Sequence, residues 1–219
     1  MKMIIFGPPG SGKGTYSSRL APRLGVPHVS TGDILRSEIA SGTELGRSIS
    51  NYVSNGKLVP DEVVNKVIEK RLSMDDCKKG FVLDGYPRTL QQAEFLNHVV
   101  KIDFVINLNV PEEVLVRRIS SRLVCRNCGA VYNRLTLKPK VEGICDKCGG
   151  ELYQREDDKP EVVRERIKIY EREFAPLLEH YRKTGVVLDF FYEPDESGVD
   201  ASPDAVVDKI VKALKEFSE

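Results

Sequence analysis

Met3-Ile4-Ile5-Phe6 runs directly into Gly7-Pro8-Pro9-Gly10-Ser11-Gly12-Lys13-Gly14-Thr15, and a stretch of helical character follows. An apolar strand, a glycine-rich loop carrying Lys-Gly-Thr and a helix, in that order, build a phosphate-binding loop. Gly10, Gly12 and Gly14, with Ser11 between them, let the main chain approach phosphate oxygens. The following helix offers its N–H groups and positive dipole end to the same anion. Lys13 is expected to reach the β- and γ-phosphates, and Thr15 to face a magnesium ion or a phosphate. An incidental glycine-rich turn would not need the strand before it or the helix after it. The loop thus demands an α/β architecture and a nucleoside triphosphate as ligand.

At 219 residues the chain fits one compact unit with two small appendages. Lys and Arg total 33 and Asp and Glu total 33, a formal net charge of zero. No global field therefore draws the chain to nucleic acid or to an anionic membrane, and anion binding has to be local. One lysine and a short apolar run do not make a signal peptide, and no stretch approaches membrane-spanning length. A cytoplasmic protein is expected. Apolar runs at Met3 to Phe6, Pro27 to Val29, Phe81 to Leu83, Phe104 to Leu108 and Val186 to Phe190 alternate with helical patterns such as Asp61 to Leu72 and Glu161 to Leu178. They predict an α/β fold with a five-stranded, mostly parallel sheet flanked by helices. Ligands of such sheets bind beyond the carboxyl ends of the strands, so Gly7 to Gly12, Ser30 to Asp33, Asp84 to Arg88 and Asn109 to Pro111 are expected around one cleft. An acidic, turn-rich loop at 193–198 precedes a last helix ending near Phe217.

Between Leu123 and Lys159 the alternation breaks. Cys125-x-x-Cys128 and Cys145-x-x-Cys148 stand sixteen residues apart, each pair followed by a glycine. That spacing matches a four-thiolate zinc site. The alternative is four buried cysteines without metal. Four thiolates fill a tetrahedral shell, so the zinc is expected to be structural. The segment is too poor in apolar residues to hold its own fold without it. Cys77 has no partner and reads as an ordinary residue. His28, His98 and His180 have no nucleophile beside them and read as structural or surface groups.

Arg36, Arg88, Arg118, Arg122, Arg155 and Arg166 fall where the cleft should lie. A lone arginine there is a solvated charge; several converging on a phosphate loop meet the needs of phosphoryl transfer, which is mainly positioning and electrostatic stabilisation. Asp84, closing an apolar strand, is placed to hold magnesium directly or through water, with a turn or helix-cap role as the alternative.

Jointly, the phosphate loop, Ser30-Thr31-Gly32-Asp33-Ile34-Leu35-Arg36, Gly56-Lys57-Leu58-Val59-Pro60-Asp61, Asp84-Gly85-Tyr86-Pro87-Arg88, Gln91-Gln92-Ala93 and Arg155-Glu156-Asp157-Asp158 resemble the adenylate kinase family, in its long form with a zinc-bearing lid. The resemblance runs in order from about Met1 to Tyr181. It implies a core of 1–30, 61–122 and 160–219, a segment 31–60 that closes over the monophosphate, and a lid 123–159 that closes over the triphosphate. It implies reversible transfer from Mg-ATP to AMP giving two ADP, by a monomer. By the same resemblance Thr31, Arg36, Gly85, Arg88 and Gln92, with the backbone at Lys57, Leu58 and Val59, match monophosphate-binding positions. Lys13, Arg118, Arg122, Arg155 and Arg166 match phosphate-clamping ones, and Asp84 the magnesium-linked one. Thr89-x-x-Gln92 is also a capping box, so Gln92 could close a helix turn; its amide could equally pair with a purine edge. No catalytic base is needed, because the attacking monophosphate has a second pKa near 6. Three departures stand out: Tyr16 where the family commonly has glutamine, Tyr86 where phenylalanine is common, and Phe191 to Gly198 in place of the short turn that holds the donor base. A GTP-dependent AMP kinase is the nearest rival reading. A zinc-ribbon nucleic-acid-binding ATPase would need a basic stripe with stacking aromatics, whereas the zinc segment holds only Tyr132 and Tyr153.

Overall fold

The computed structural model of the chain describes residues 1–194 and 200–218. It begins β1 (Lys2–Phe6), α1 (Lys13–Leu24), β2 (His28–Ser30), α2 (Thr31–Ala40), α3 (Glu44–Ser54) and α4 (Asp61–Leu72). β3 (Phe81–Asp84), α5 (Leu90–Val99), β4 (Phe104–Asn109) and α6 (Glu112–Ser120) follow. Three short strands, β5 (Arg122–Cys125), β6 (Val131–Asn133) and β7 (Leu152–Tyr153), precede α7 (Pro160–Arg182), β8 (Val187–Phe191) and α8 (Pro203–Ser218). The main sheet has the order β2-β3-β1-β4-β8 and every pairing in it is parallel. The expected five-stranded sheet is therefore present. β2 and β8 each begin and end one residue later than the apolar runs, because Ser30 and Phe191 still pair with β3 and β4.

The alternation along β1 divides the core. Ile4 and Phe6 face a cluster with Leu83, Leu96 and Leu177, while Met3 and Ile5 face Leu20, Val82 and Ile210 on the other side. β1 is thus buried on both faces, as a central parallel strand must be. Local signals set the ends of the helices. Gly25 at φ 66° closes α1, and its N–H returns to the carbonyls of Ala21 and Pro22. The hydroxyls of Ser30 and Thr43 accept the N–H groups of Asp33 and Gly46 at the starts of α2 and α3.

Helix α7 runs four residues past Leu178, where the apolar periodicity stops, and carries Pro176 inside it. The zinc segment contains more order than its composition predicts, a three-stranded antiparallel sheet β6-β5-β7. Its core is small: Leu123, Tyr132 and Leu152 pack with Cys125 and Cys145. The last helix is where it was expected. Of the unusual loop Phe191 to Gly198, positions 195–198 lie outside the described residues.

Candidate active site

The phosphate loop leaves the carboxyl end of β1 and bends at Gly10 (φ 84°) and Gly12 (φ 93°). Both bends are in the left-handed region that favours glycine, and space forbids a side chain as well. A Cβ on Gly10 would lie 2.8 Å from Ile119, and one on Gly12 would lie 2.8 Å from the ring of Tyr16. On Gly14 it would come within 3.2 Å of Asp84 Oδ2. Lys13 and Thr15 occupy the first turn of α1, and Lys13 Nζ folds back to donate to the Pro8 carbonyl at 3.2 Å. Burial, with the positive charges of Arg88, Arg166 and Arg122 acting the same way and Asp84 opposing, brings the Lys13 ammonium down to about 7.

Asp84 ends β3, in register with Ser30 of β2 and Ile5 of β1. It is buried and its Oδ1 has no hydrogen-bond partner among the described residues; Oδ2 stands 3.6 Å from His28 Nε2. A buried carboxylate oxygen without a partner, beside a phosphate loop, fits a hydrated magnesium ion.

Two adjoining hollows of about 640 and 590 Å³ open here. Both are bounded by Gly56, Leu58, Gly85, Arg88 and Arg166. The first extends from Lys13 and Gly7 back beneath α7, to Tyr170 and Phe174. The second is walled by Thr31, Arg36, Lys57, Val59 and Gln92. The Thr31 hydroxyl is buried and unpartnered, a polar atom available to a ligand. Arg88 and Arg166 are thus common to the walls of both hollows.

The cleft arginines are anchored, two pairs of them on shared carboxylates: Arg122 and Arg166 on Asp158, Arg36 and Arg155 on Asp33. Arg88 Nε donates to the Gly85 carbonyl at 2.8 Å, and burial depresses its pKa. Arg166 reaches Asp157 Oδ2 at 2.9 Å and Asp158 Oδ1 at 3.5 Å. Burial chiefly, with repulsion from Arg122 and Arg88 working against Asp157 and Asp158, brings Arg166 to about 10. Arg155 is brought to about 10 by burial and by Arg36 and Arg122. Its Nη2 lies 3.5 Å from Asp33 Oδ1, while its buried Nε has no partner among the described residues. Arg122 forms a two-pronged pair with Asp158, with Nε at 2.8 Å from Oδ2. Burial opposes that charge, but the Asp158 carboxylate holds the guanidinium above its usual range. Arg36 donates to Asp33 at 2.5 Å.

Gly10, Ser11, Gly12, Gly14, Thr15, Asp84, Arg122 and Arg155 line neither hollow, and Arg118 and Asn109 are tied up away from both. Arg118 donates to the Ser11 carbonyl at 3.0 Å and to Asp200 at 2.8 Å, with Tyr192 5.4 Å beneath its guanidinium, so it braces the outer side of the phosphate loop. Asn109, expected at the cleft, turns instead to Asp189 on β8 at 3.3 Å. Sequence reasoning gave no role to Asp33, Asp61, Asp157, Asp158 or Asp200. Asp33 sits three residues before Arg36, a detectable charge pattern; Asp157 pairs with Arg166, Asp158 with Arg122 and Asp200 with Arg118, all too far along the chain to leave such a signal.

The four cysteine sulfurs lie within 4.8 Å of one another. Cys125 Sγ is 3.5 Å from Cys148 Sγ and Cys128 Sγ 3.6 Å from Cys145 Sγ. After each pair a glycine, Gly129 (φ 71°) or Gly149 (φ 70°), turns its N–H back to the carbonyl of the first cysteine, at 3.1 and 2.8 Å. Four converging sulfurs could hold a zinc ion.

Residues 5–186 match the family model described as adenylate kinase. The chain belongs to the adenylate kinase family. It is 51% identical over 215 residues to an adenylate kinase of Archaeoglobus fulgidus, covering 96% of this chain and 99% of that one. To an adenylate kinase of Thermosipho melanesiensis it is 48% identical over 219 residues, covering 98% of this chain and 97% of the relative. To one of Methanosarcina mazei it is 50% identical over 193 residues, or 86% and 89% of the two chains. Two departures from the common adenylate kinase pattern have a visible use. The Tyr16 ring packs against Gly12, and the Tyr86 hydroxyl lies 2.6 Å from Asn65 Oδ1 and 3.1 Å from the Gln92 carbonyl.

Proposed function

We propose that this adenylate kinase transfers the γ-phosphoryl group of Mg-ATP reversibly to AMP, forming two ADP, by direct in-line attack and without a covalent intermediate. The observation that carries the reading is that the two hollows share Arg88 and Arg166 in their walls, with Lys13 in the wall of the first. Charge on a transferring phosphoryl group spreads over its equatorial oxygens, and fixed cations around it stabilise that state more than the ground state. The loop N–H groups and Lys13 hold the ATP phosphates, and Arg122, Arg155 and Arg166 clamp them, while Arg118 braces the loop from outside. AMP occupies the second hollow, with its phosphate toward Arg36 and Arg88 and its base toward Thr31 and Gln92. Asp84 and Thr15 would hold a magnesium ion, which would supply charge neutralisation at the ATP phosphates. The attacking AMP oxygen is already deprotonated at neutral pH, so alignment replaces base catalysis.

Residues 31–60 and 123–159 act as the two closing segments, supported by the Asp33–Arg155 contact that joins them at 3.5 Å. Cys125, Cys128, Cys145 and Cys148 hold one structural zinc. The protein works as a cytoplasmic monomer with no nucleic-acid or membrane partner, a reading supported by the zero net charge and the paired thiols. None of the described helices is long and apolar enough to cross a membrane.

A coupled assay of ADP formation across a nucleotide panel tests this. ADP should form from ATP only when AMP is present, and twice as much ADP should appear as AMP is consumed. Hydrolysis of ATP without an acceptor, or stimulation by nucleic acid in place of AMP, would overturn the reading.

A further inference from the structure

Gln92 carries a donor at one end of its amide and an acceptor at the other, and its surroundings dictate which end goes where. Nε2 donates to Asp61 Oδ1 at 2.7 Å, and Oε1 accepts the Arg88 backbone N–H at 2.7 Å. A carboxylate only accepts and a backbone N–H only donates, so one orientation alone satisfies both. Asp61, the first residue of α4, is itself tied by the Thr89 hydroxyl, which donates to Oδ2 at 2.8 Å. One turn along α4, Asn65 shares the Tyr86 hydroxyl with the Gln92 carbonyl. Gln92 is 2% exposed and Tyr86 1%. In such a place a mismatched polar pair costs far more than it would in water.

We propose that Asp61 is a specificity-determining positioning residue: by fixing the orientation of the Gln92 amide, it selects a 6-aminopurine over a 6-oxopurine at the acceptor site. The inference rests on the reading of Gln92 as the base-recognising group. An amide nitrogen has two protons and its oxygen two lone pairs. Asp61 and Arg88 each take one, leaving one donor and one acceptor for the hollow. The Watson–Crick edge of a 6-aminopurine presents a ring-nitrogen acceptor and an amino donor, which complement that pair. A 6-oxopurine presents a ring N–H and a carbonyl, the reverse. With the ribose phosphate held by arginines the base cannot turn over, so the amide would have to. Turning it would set its NH₂ against the Arg88 N–H and its oxygen against the Asp61 carboxylate.

The test is Asp61→Asn in the full chain, a near-isosteric change whose amide presents either end and so releases the Asp61 half of the constraint, leaving only the Arg88 N–H. The AMP-to-GMP ratio of kcat/KM should fall about tenfold, the scale of a hydrogen bond to a charged group. KM for ATP and the melting temperature should stay close to the parent's. Asp61→Glu, which restores the carboxylate, should recover part of the ratio. In a Gln92→Ala background the same Asp61→Asn change should alter the ratio no further, because it acts through Gln92. A parental ratio in Asp61→Asn, or an equal fall in both backgrounds, overturns the role of Asp61. A parental ratio in Gln92→Ala overturns the reading of Gln92 itself, so the two failures are told apart. If Asp61→Asn does not fold, Asp61→Ser, uncharged and tolerated at a helix start, carries the same expected loss.

Discussion

Lys13 lies among three arginines and one carboxylate, and burial decides the balance against its proton. With its pKa down to about 7, from 10.5 in the unfolded chain, the unfolded form binds the extra proton between those limits. Folding stability owed to this group therefore rises with pH across that window in the nucleotide-free protein. ATP phosphates reverse the preference, since they favour the charged ammonium. Binding of ATP near pH 8 should take up close to one proton, measured by calorimetry in buffers of different ionisation enthalpy, and Lys13→Met should abolish the uptake. In turnover, Lys13→Met and Arg88→Ala should each cost at least about 10²–10³-fold, the scale of a lost transition-state donor. Exposed Arg172→Ala should cost almost nothing; near-normal turnover in either cleft variant would remove it from the phosphate cluster. At this scale the candidate cations are legible in the sequence and their partners are not. Lys13 and the cleft arginines carry motif signals, whereas Asp158 and Asp200 owe their places to contacts between distant segments, which no local spacing encodes.

The zinc segment shows how one element depends on few residues. Its small sheet encloses Leu123, Tyr132 and Leu152 beside two of its cysteines, with Ala130 half-buried against them, a core too slight for independent stability. One zinc per chain should be found by metal analysis. Cys145→Ser should lower the melting temperature by about 10 °C, equivalent to roughly 3 kcal/mol in a protein of this size. Turnover at low temperature should fall less, because a closed thiolate shell does no chemistry. Full-length metal content well below one, with an unchanged melt, would count against the site. The cysteine knuckles were legible because zinc geometry fixes ligand spacing. The strands between them were not, because two or three residues carry no usable periodicity and the sheet is held by its ends. Helix α7 was underestimated for a related reason: apolar spacing ends at Leu178, but Tyr181, 2% exposed, prolongs the buried face into the next turn.

Across the whole molecule the order of elements in the main sheet was the easiest thing to read, since each of its strands contains an apolar run and helical patterns lie between them. The shape of the cleft was only partly legible. Four loops were expected to gather at the strand ends and three line the hollows; the fourth, at Asn109, is drawn to β8 by Asp189. The position of β1 has a consequence for how the molecule opens. It is paired on both sides, and Met3, Ile4 and Ile5 are no more than 1% exposed. Their amide protons can meet solvent only when the entire fold comes apart, so deuterium should enter them at the rate set by global unfolding. Val131 to Asn133, on an edge strand of the zinc segment, should exchange by local fluctuation and slow markedly when metal is added. The phosphate loop is thus tethered to the strand expected to exchange slowest, while the segment proposed to close over it belongs to the part expected to exchange fast. With 123–159 as the proposed lid, a substrate would be admitted and released by breathing of the cover alone, with the anion cradle held still.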